Sequence, residues 1–283
     1  MTSRHFVFLF IVFCFGPVFM TGQAIEGKGK LFIIGGGWKP PFMINRMIQE
    51  ANMKPEDYAV VLPMASEVPY ESAEEIKEQF RDAGQHRLFT VMFTKDELYD
   101  KSKLDSVLNA KLIFISGGDQ WRFISLIQGT PLMDVIHRAY AKGTLIAGTS
   151  AGAAMMSEMM MTGTQLKDTI YRPTFRTIES DNIETKRGLA LLKNVIIDQH
   201  FLIRSRHNRL LTAVLQYQGI MGIGIDESTA ILVNGKNAEV VGLSQVLTYS
   251  KPKGITKGKD GKFGVKNISV GIYLPGQKFK ISG

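Results

Sequence analysis

Short apolar runs of strand length alternate with segments of helical length through most of this chain, and that order admits few folds. Strands are expected at Lys30–Ile34, Tyr58–Leu62, Leu88–Phe93, Lys111–Ile115, Thr144–Ala147, Asn194–Ile197 and Gly222–Ile225. Helices are expected at Phe42–Asn52, Ser72–Ala83, Trp121–Gln128, Pro131–Lys142, Ala151–Met161 and Ile203–Gln218. The runs are continuous in Ile, Val and Leu, as strands covered on both faces require, so the expectation is an α/β three-layer sandwich around a mostly parallel central sheet. Beyond Gly224 the pattern changes. Thr229–Val233, the turn Asn234–Gly235 and Ala238–Val241 read as an antiparallel hairpin at the sheet edge, and short strands near Ile268–Tyr273 and Lys278–Ile281 complete the fold. No internal repeat or long linker divides residues 25–283, which read as one domain.

The first 24 residues stand apart. Met1–Ala24 has a basic start at Arg4, an apolar run from Phe6 to Phe19, and small residues Gly22 and Ala24 near a cleavage site, the layout of a secretory signal peptide. The apolar run is shorter than the roughly 20 residues needed to span a bilayer. Export to the periplasm or the medium is therefore expected, with no stable membrane insertion after cleavage. Cys14, the single cysteine, lies in this segment, so the mature chain holds neither a disulfide nor a cysteine nucleophile. Losing Arg4 takes the net charge from +8 to +7. Much of the excess sits in Lys251, Lys253, Lys257, Lys259, Lys262 and Lys266, which alternate with glycines against one acid, Asp260. A solvated loop is the expectation there. No nucleic-acid partner is expected, and a homodimer is left open.

Five strands end in polar clusters at their carboxyl ends: Gly35–Gly37, Gly117–Gln120, Gly148–Ser150, Asp198–His200 and Asp226–Ser228. In open parallel sheets ligands bind outside those ends, so the clusters are expected to converge. The glycine triplet lacks the spacing of a dinucleotide fingerprint and no phosphate-loop lysine follows. There is no HExxH or Cys/His set, so neither a metal nor a cofactor is expected.

Gly148-Thr149-Ser150-Ala151-Gly152 matches G-x-S-x-G between an expected strand and an expected helix. In that context the turn exposes the serine hydroxyl, and the Ala151 N–H can stabilise an oxyanion. An ordinary helix N-cap at Ser150 is the plain alternative. A serine nucleophile needs a base, and the mature chain offers His86, His137, His200 and His207. His200 follows Val195-Ile196-Ile197 at a strand end, where a base could reach a neighbouring strand; His207, seven residues on, would share a helix face with it. The orienting acid is best sought in Asp226–Glu227, with Asp198 as competitor. The order serine, histidine, acid differs from that of the α/β-hydrolases.

With these residues in hand, the chain resembles the cyanophycinases, serine peptidases that share a flavodoxin-like sandwich with class I glutamine amidotransferases. Four blocks carry the resemblance: Gly117-Gly118-Asp119-Gln120; Gly148-Thr149-Ser150-Ala151-Gly152-Ala153; Asp198-Gln199-His200-Phe201 followed by Arg204, Arg206 and Arg209; and Gly224-Ile225-Asp226-Glu227. The resemblance implies Ser150 as nucleophile, His200 as base and Glu227 as orienting acid, and in the mechanism expected from them the N–H groups of Ala151 and Gly118 hold the oxyanion. It also implies substrate contacts from Gln120, Asp198, Gln199, Arg204, Arg206 and Arg209. The implied substrate is cyanophycin, a polyaspartate with arginine on each β-carboxyl, released as β-Asp-Arg dipeptides. Guanidinium forks suit its carboxylates, while Asp198, Gln120 and Gln199 suit its guanidinium groups. Two other readings are an aspartyl or isoaspartyl dipeptidase of the same clan, and a non-catalytic exported protein holding an anionic polymer.

Overall fold

The structure is a computed structural model and describes residues 29–167 and 174–281. The expected signal peptide and Cys14 lie outside the described residues. The chain runs β1 (Leu31–Ile34), α1 (Pro41–Glu50), β2 (Ala59–Leu62), α2 (Pro69–Asp82), β3 (Leu88–Thr90), a 3-10 turn (Lys95–Glu97), α3 (Lys101–Leu108), β4 (Leu112–Ile115), α4 (Gln120–Ile127), α5 (Pro131–Lys142) and β5 (Leu145–Thr149). It continues through α6 (Ala151–Ala154), β6 (Met159–Gln165), β7 (Ile183–Arg187), β8 (Val195–Asp198), α7 (His207–Gln216), β9 (Met221–Ile225), β10 (Thr229–Asn234), β11 (Asn237–Gly242), β12 (Val246–Lys257), β13 (Phe263–Tyr273) and β14 (Lys278–Lys280).

The large sheet has the order β14-β11-β10-β1-β5-β4-β2-β3. Its strands from β1 to β3 are mutually parallel, and β10, β11 and β14 are antiparallel additions. Side chains alternate across the pleat, so each parallel strand feeds two cores. Leu31, Ile33, Val60, Leu62, Ile113 and Ile115 meet Val107 of α3, Phe123 of α4 and Ile136 of α5 on one face. Phe32, Ile34, Val61, Phe114 and Ala147 meet Met43 and Met47 of α1 and Phe80 of α2 on the other. Each such Leu, Ile or Phe contributes about 1.5–3 kcal/mol by leaving water, which is why an unbroken apolar run folds as a central strand. The helices start and stop where local chemistry dictates: α1, α2 and α5 have proline in their first turn, and Gly143 in the left-handed region ends α5.

The structure corrects several sequence expectations. Asn194–Ile197 and Gly222–Ile225 do not join the central sheet. They form β8 and β9, parallel to each other, in a second sheet of order β13-β12-β9-β8. The reason is that β10 occupies the free edge of β1. Val195, Ile197, Ile223 and Ile225 nevertheless enter the first core. The helix expected over Ala151–Met161 stops at Ala154, because the Met159–Met161 run pairs with β7; that cross-strand partner outweighs the helical propensity of methionine. The lysine-rich segment is no loop but the ribbon β12–β13, whose tip is tied to Ile178 and Ser180 through backbone hydrogen bonds. No helix among the described residues is long and apolar enough to cross a membrane.

Candidate active site

Ser150 terminates β5 in a backbone conformation, φ 53° and ψ −111°, that is sparsely populated for any residue with a Cβ. The surrounding chain enforces it: the Ser150 N–H donates to the Ile34 carbonyl at 3.0 Å, and its carbonyl accepts from Ala153 and Ala154 as α6 begins. A side chain at Gly148 would overlap the Gly152 carbonyl, so the reversal from strand to helix closes only with hydrogen there. The result is a hydroxyl held clear of the sheet.

His200 follows β8 and receives that hydroxyl, Ser150 Oγ standing 2.8 Å from His200 Nε2. On the far side of the ring Nδ1 meets Glu227 Oε1 at 2.5 Å. A carboxylate can only accept there, so the neutral ring carries its proton on Nδ1 and leaves Nε2 to accept from serine. Burial holds the imidazole pKa below its ordinary value; the Glu227 hydrogen bond opposes this, and the positive charges of Arg204 and Arg206 add to it. The ring is therefore neutral and basic at neutral pH. Its position is set by the first strand end: the His200 N–H donates to Gly35 O at 2.7 Å, and at Gly36, with φ 121°, any Cβ would overlap the imidazole. Asp226 accepts from the N–H groups of Leu202 and Ile203 at 3.0 Å and from Ser244, fixing the turn after the histidine. So of the two adjacent acids, Glu227 meets the ring and Asp226 anchors the chain.

The other histidines are occupied elsewhere. His207 Nδ1 pairs with the Tyr249 hydroxyl at 2.8 Å and its ring meets Phe201 edge-on, so the runner-up base is a packing residue. His137 bonds the Leu189 carbonyl and His86 is exposed on the surface.

Gly117 packs against the nucleophile, a Cβ there falling 3.3 Å from Ser150 Cβ. This brings the Gly117–Gly118 loop beside the Ala151 N–H. Among the described residues neither the Gly118 nor the Ala151 N–H is given to a protein acceptor. Two unspent donors next to a serine hydroxyl suit a developing oxyanion.

The arginine block is mostly internal. Asp198, its side chain fully buried, is gripped through both carboxylate oxygens by Arg209 and also accepts from the Gln199 N–H. Arg206 is buried and donates to the Gln199 backbone carbonyl at 2.8 Å and to its side-chain oxygen. Asp198, Gln199, Arg206 and Arg209 thus hydrogen-bond one another in a buried frame next to His200. Buried charges must be paired, and the partners of Asp198 at the end of β8 come from the start of α7. Gln120 spends its amide N–H groups on Met161 O and Thr162 O at 2.8 Å, clamping β6, and its Oε1 receives no protein donor among the described residues. Arg204 alone of the three arginines is exposed, before α7 begins.

Sequence reasoning missed Lys39. It is 5% exposed and donates to Gly37 O at 3.0 Å, and burial draws its pKa below the ordinary lysine value against the opposing pull of Glu75. It braces the loop whose three glycines seat His200 and Glu227. Its signal was present, since Lys39 is the lone charge between Lys30 and Arg46. Among the described residues no group of three or more His, Cys, Asp or Glu side chains could hold a metal ion.

The family model described as peptidase family S51 matches residues 31–241. A cyanophycinase of Nostoc sp. is 30% identical over 233 residues, covering 79% of this chain and 75% of the relative. The cyanophycinase of Geminocystis herdmanii is 33% identical over 190 residues, 66% of each chain. The crystal structure of a peptidase from an acI-B1 actinobacterium superposes with a TM-score of 0.66 at 19% identity, over 89% of this chain and 96% of that one, and shares the fold. With the family model covering the strands, the elbow and the histidine turn alike, this chain is a peptidase and belongs to peptidase family S51.

Proposed function

We propose that the protein is an exported serine-type exopeptidase that hydrolyses cyanophycin to β-Asp-Arg dipeptides through an acyl-enzyme. The observation that carries the reading is the continuous relay from Ser150 through His200 to Glu227, built on a strained elbow. In this mechanism His200 takes the Ser150 proton as Oγ attacks a backbone aspartyl carbonyl. The N–H groups of Ala151 and Gly118 receive the oxyanion. The imidazolium, steadied by Glu227, then protonates the leaving amine, and water attacks the acyl-enzyme with His200 again as base. The names of the curated relatives support cyanophycin, and exposed Arg204 beside His200 suits the free carboxylates of the polymer. Ser150→Ala should abolish dipeptide release from purified cyanophycin while leaving the circular dichroism spectrum unchanged; retained turnover would sink the assignment.

A second reading, an aspartyl or isoaspartyl dipeptidase, gains from the internal use of Arg206 and Arg209, because that substrate needs fewer arginines. Turnover of short Asp-X peptides without polymer cleavage would favour it. Export rests on the composition of residues 1–24; amino-terminal sequencing of the protein recovered outside the cytoplasm, starting near Ile25, is the expected result.

A further inference from the structure

The proposed substrate carries a guanidinium on every repeat, yet the carboxylate that the sequence offered to receive it, Asp198, is buried and held by Arg209. Gln120 Oε1 is one remaining acceptor, and a single neutral oxygen is a weak anchor for a cation. Both tryptophans of the chain directly follow a residue of the site in sequence. Trp38 directly follows Gly37, which packs against Glu227, and Trp121 directly follows Gln120. They are 59% and 37% exposed. Exposure alone does not single them out, since Tyr99 is 70% exposed far along the chain in α3's approach. Position does. In the sheet order β1-β5-β4, Ser150 ends the middle strand, and the loop bearing Trp38 and the first turn of α4 bearing Trp121 follow the carboxyl ends of its two neighbours. Neighbouring strands lie about 5 Å apart, so the two tryptophan-bearing segments follow strands on opposite sides of the nucleophile's own strand.

An exposed indole costs hydrophobic free energy and is the strongest aromatic acceptor for a cation. The fold already uses Trp121 in this way: Lys186 Nζ lies over its ring, 5.3 Å from the centroid. We propose that Trp38 and Trp121 form two cation-binding subsites, one on each side of Ser150, that take the arginyl guanidinium groups flanking the scissile bond. This rests on the cyanophycin reading for the identity of the cation, but not for its chemistry.

Because these are the only tryptophans in the chain, intrinsic fluorescence reads the subsites directly. Ser150→Ala protein would be titrated with β-aspartyl-arginine oligomers and with their citrulline counterparts, which keep the planar shape and lose the charge. The expected result is a saturable fluorescence change with the arginyl ligand and about two- to thirty-fold weaker binding of the citrullinyl one. Trp38→Phe and Trp121→Phe, each leaving one reporter, should retain most of that discrimination, whereas Trp38→Ala and Trp121→Ala should each lose part of it. Equal affinity for the two ligands, or discrimination unchanged in both alanine variants, overturns the proposal. Wild-type turnover of cyanophycin is measured separately: if it fails while charge discrimination at the tryptophans persists, the substrate reading falls and the subsites stand.

Discussion

His200 titrates under opposing influences, burial and two arginine charges against one carboxylate, and burial leads. Its pKa in the folded protein lies below the ordinary 6.5, so the acid limb of kcat/KM should lie below pH 6.5. Removing a nearby cation raises that pKa, so Arg204→Gln should shift the limb upward, and a pH–rate profile for the two proteins checks it. The same depression makes stability fall as pH drops below 6.5, where the unfolded imidazole takes a proton that the folded one refuses; above 6.5 both are neutral and nothing changes. Asp198 offers a second test. Asp198→Asn leaves the Arg209 guanidinium buried without a counter-charge, which should cost about 3–5 kcal/mol in urea unfolding. A substrate-binding aspartate on the surface would instead alter KM and leave stability untouched.

At the scale of elements, the site is an agreement among strand ends. The turn after β1 supplies the carbonyl that seats His200, the turn after β5 supplies the nucleophile, and the turn after β9 supplies Glu227. Gly36→Ala tests how closely they must meet. The new methyl would overlap the imidazole in a backbone conformation that alanine disfavours. A displacement of the base on the order of 1 Å should lower kcat about 100-fold with KM little changed. The motifs at these turns were legible because backbone geometry restricts which residues fit them. The arginines were not, because a helical face and a substrate pocket ask for the same charges. Arg204 and Arg209 differ in role only through the burial that α7 and β8 impose on the latter.

Across the whole molecule the two sheets share one interior, since Ile223 of β9 packs in the same core as Leu31 and Ile113 of the central sheet. Ile223→Ala should therefore destabilise the protein by about 2–5 kcal/mol within a single cooperative transition, monitored by circular dichroism and by tryptophan fluorescence together. Separate transitions would mean that the second sheet folds on its own. The parallel strands β1 to β5, the hairpin at Asn234–Gly235 and the turn at Ser150 were legible in the sequence alone, because each depends on periodicity or on a turn that local chemistry enforces, whereas the choice of His200 over His207 and of Glu227 over Asp226 needed the contacts each makes across the fold. Which sheet β8 and β9 join, where the methionine run ceases to be helical, and which charges remain free for a substrate were decided only by the tertiary structure. Those choices turn on competition for one sheet edge and for buried partners, and such competition is settled between segments distant in sequence.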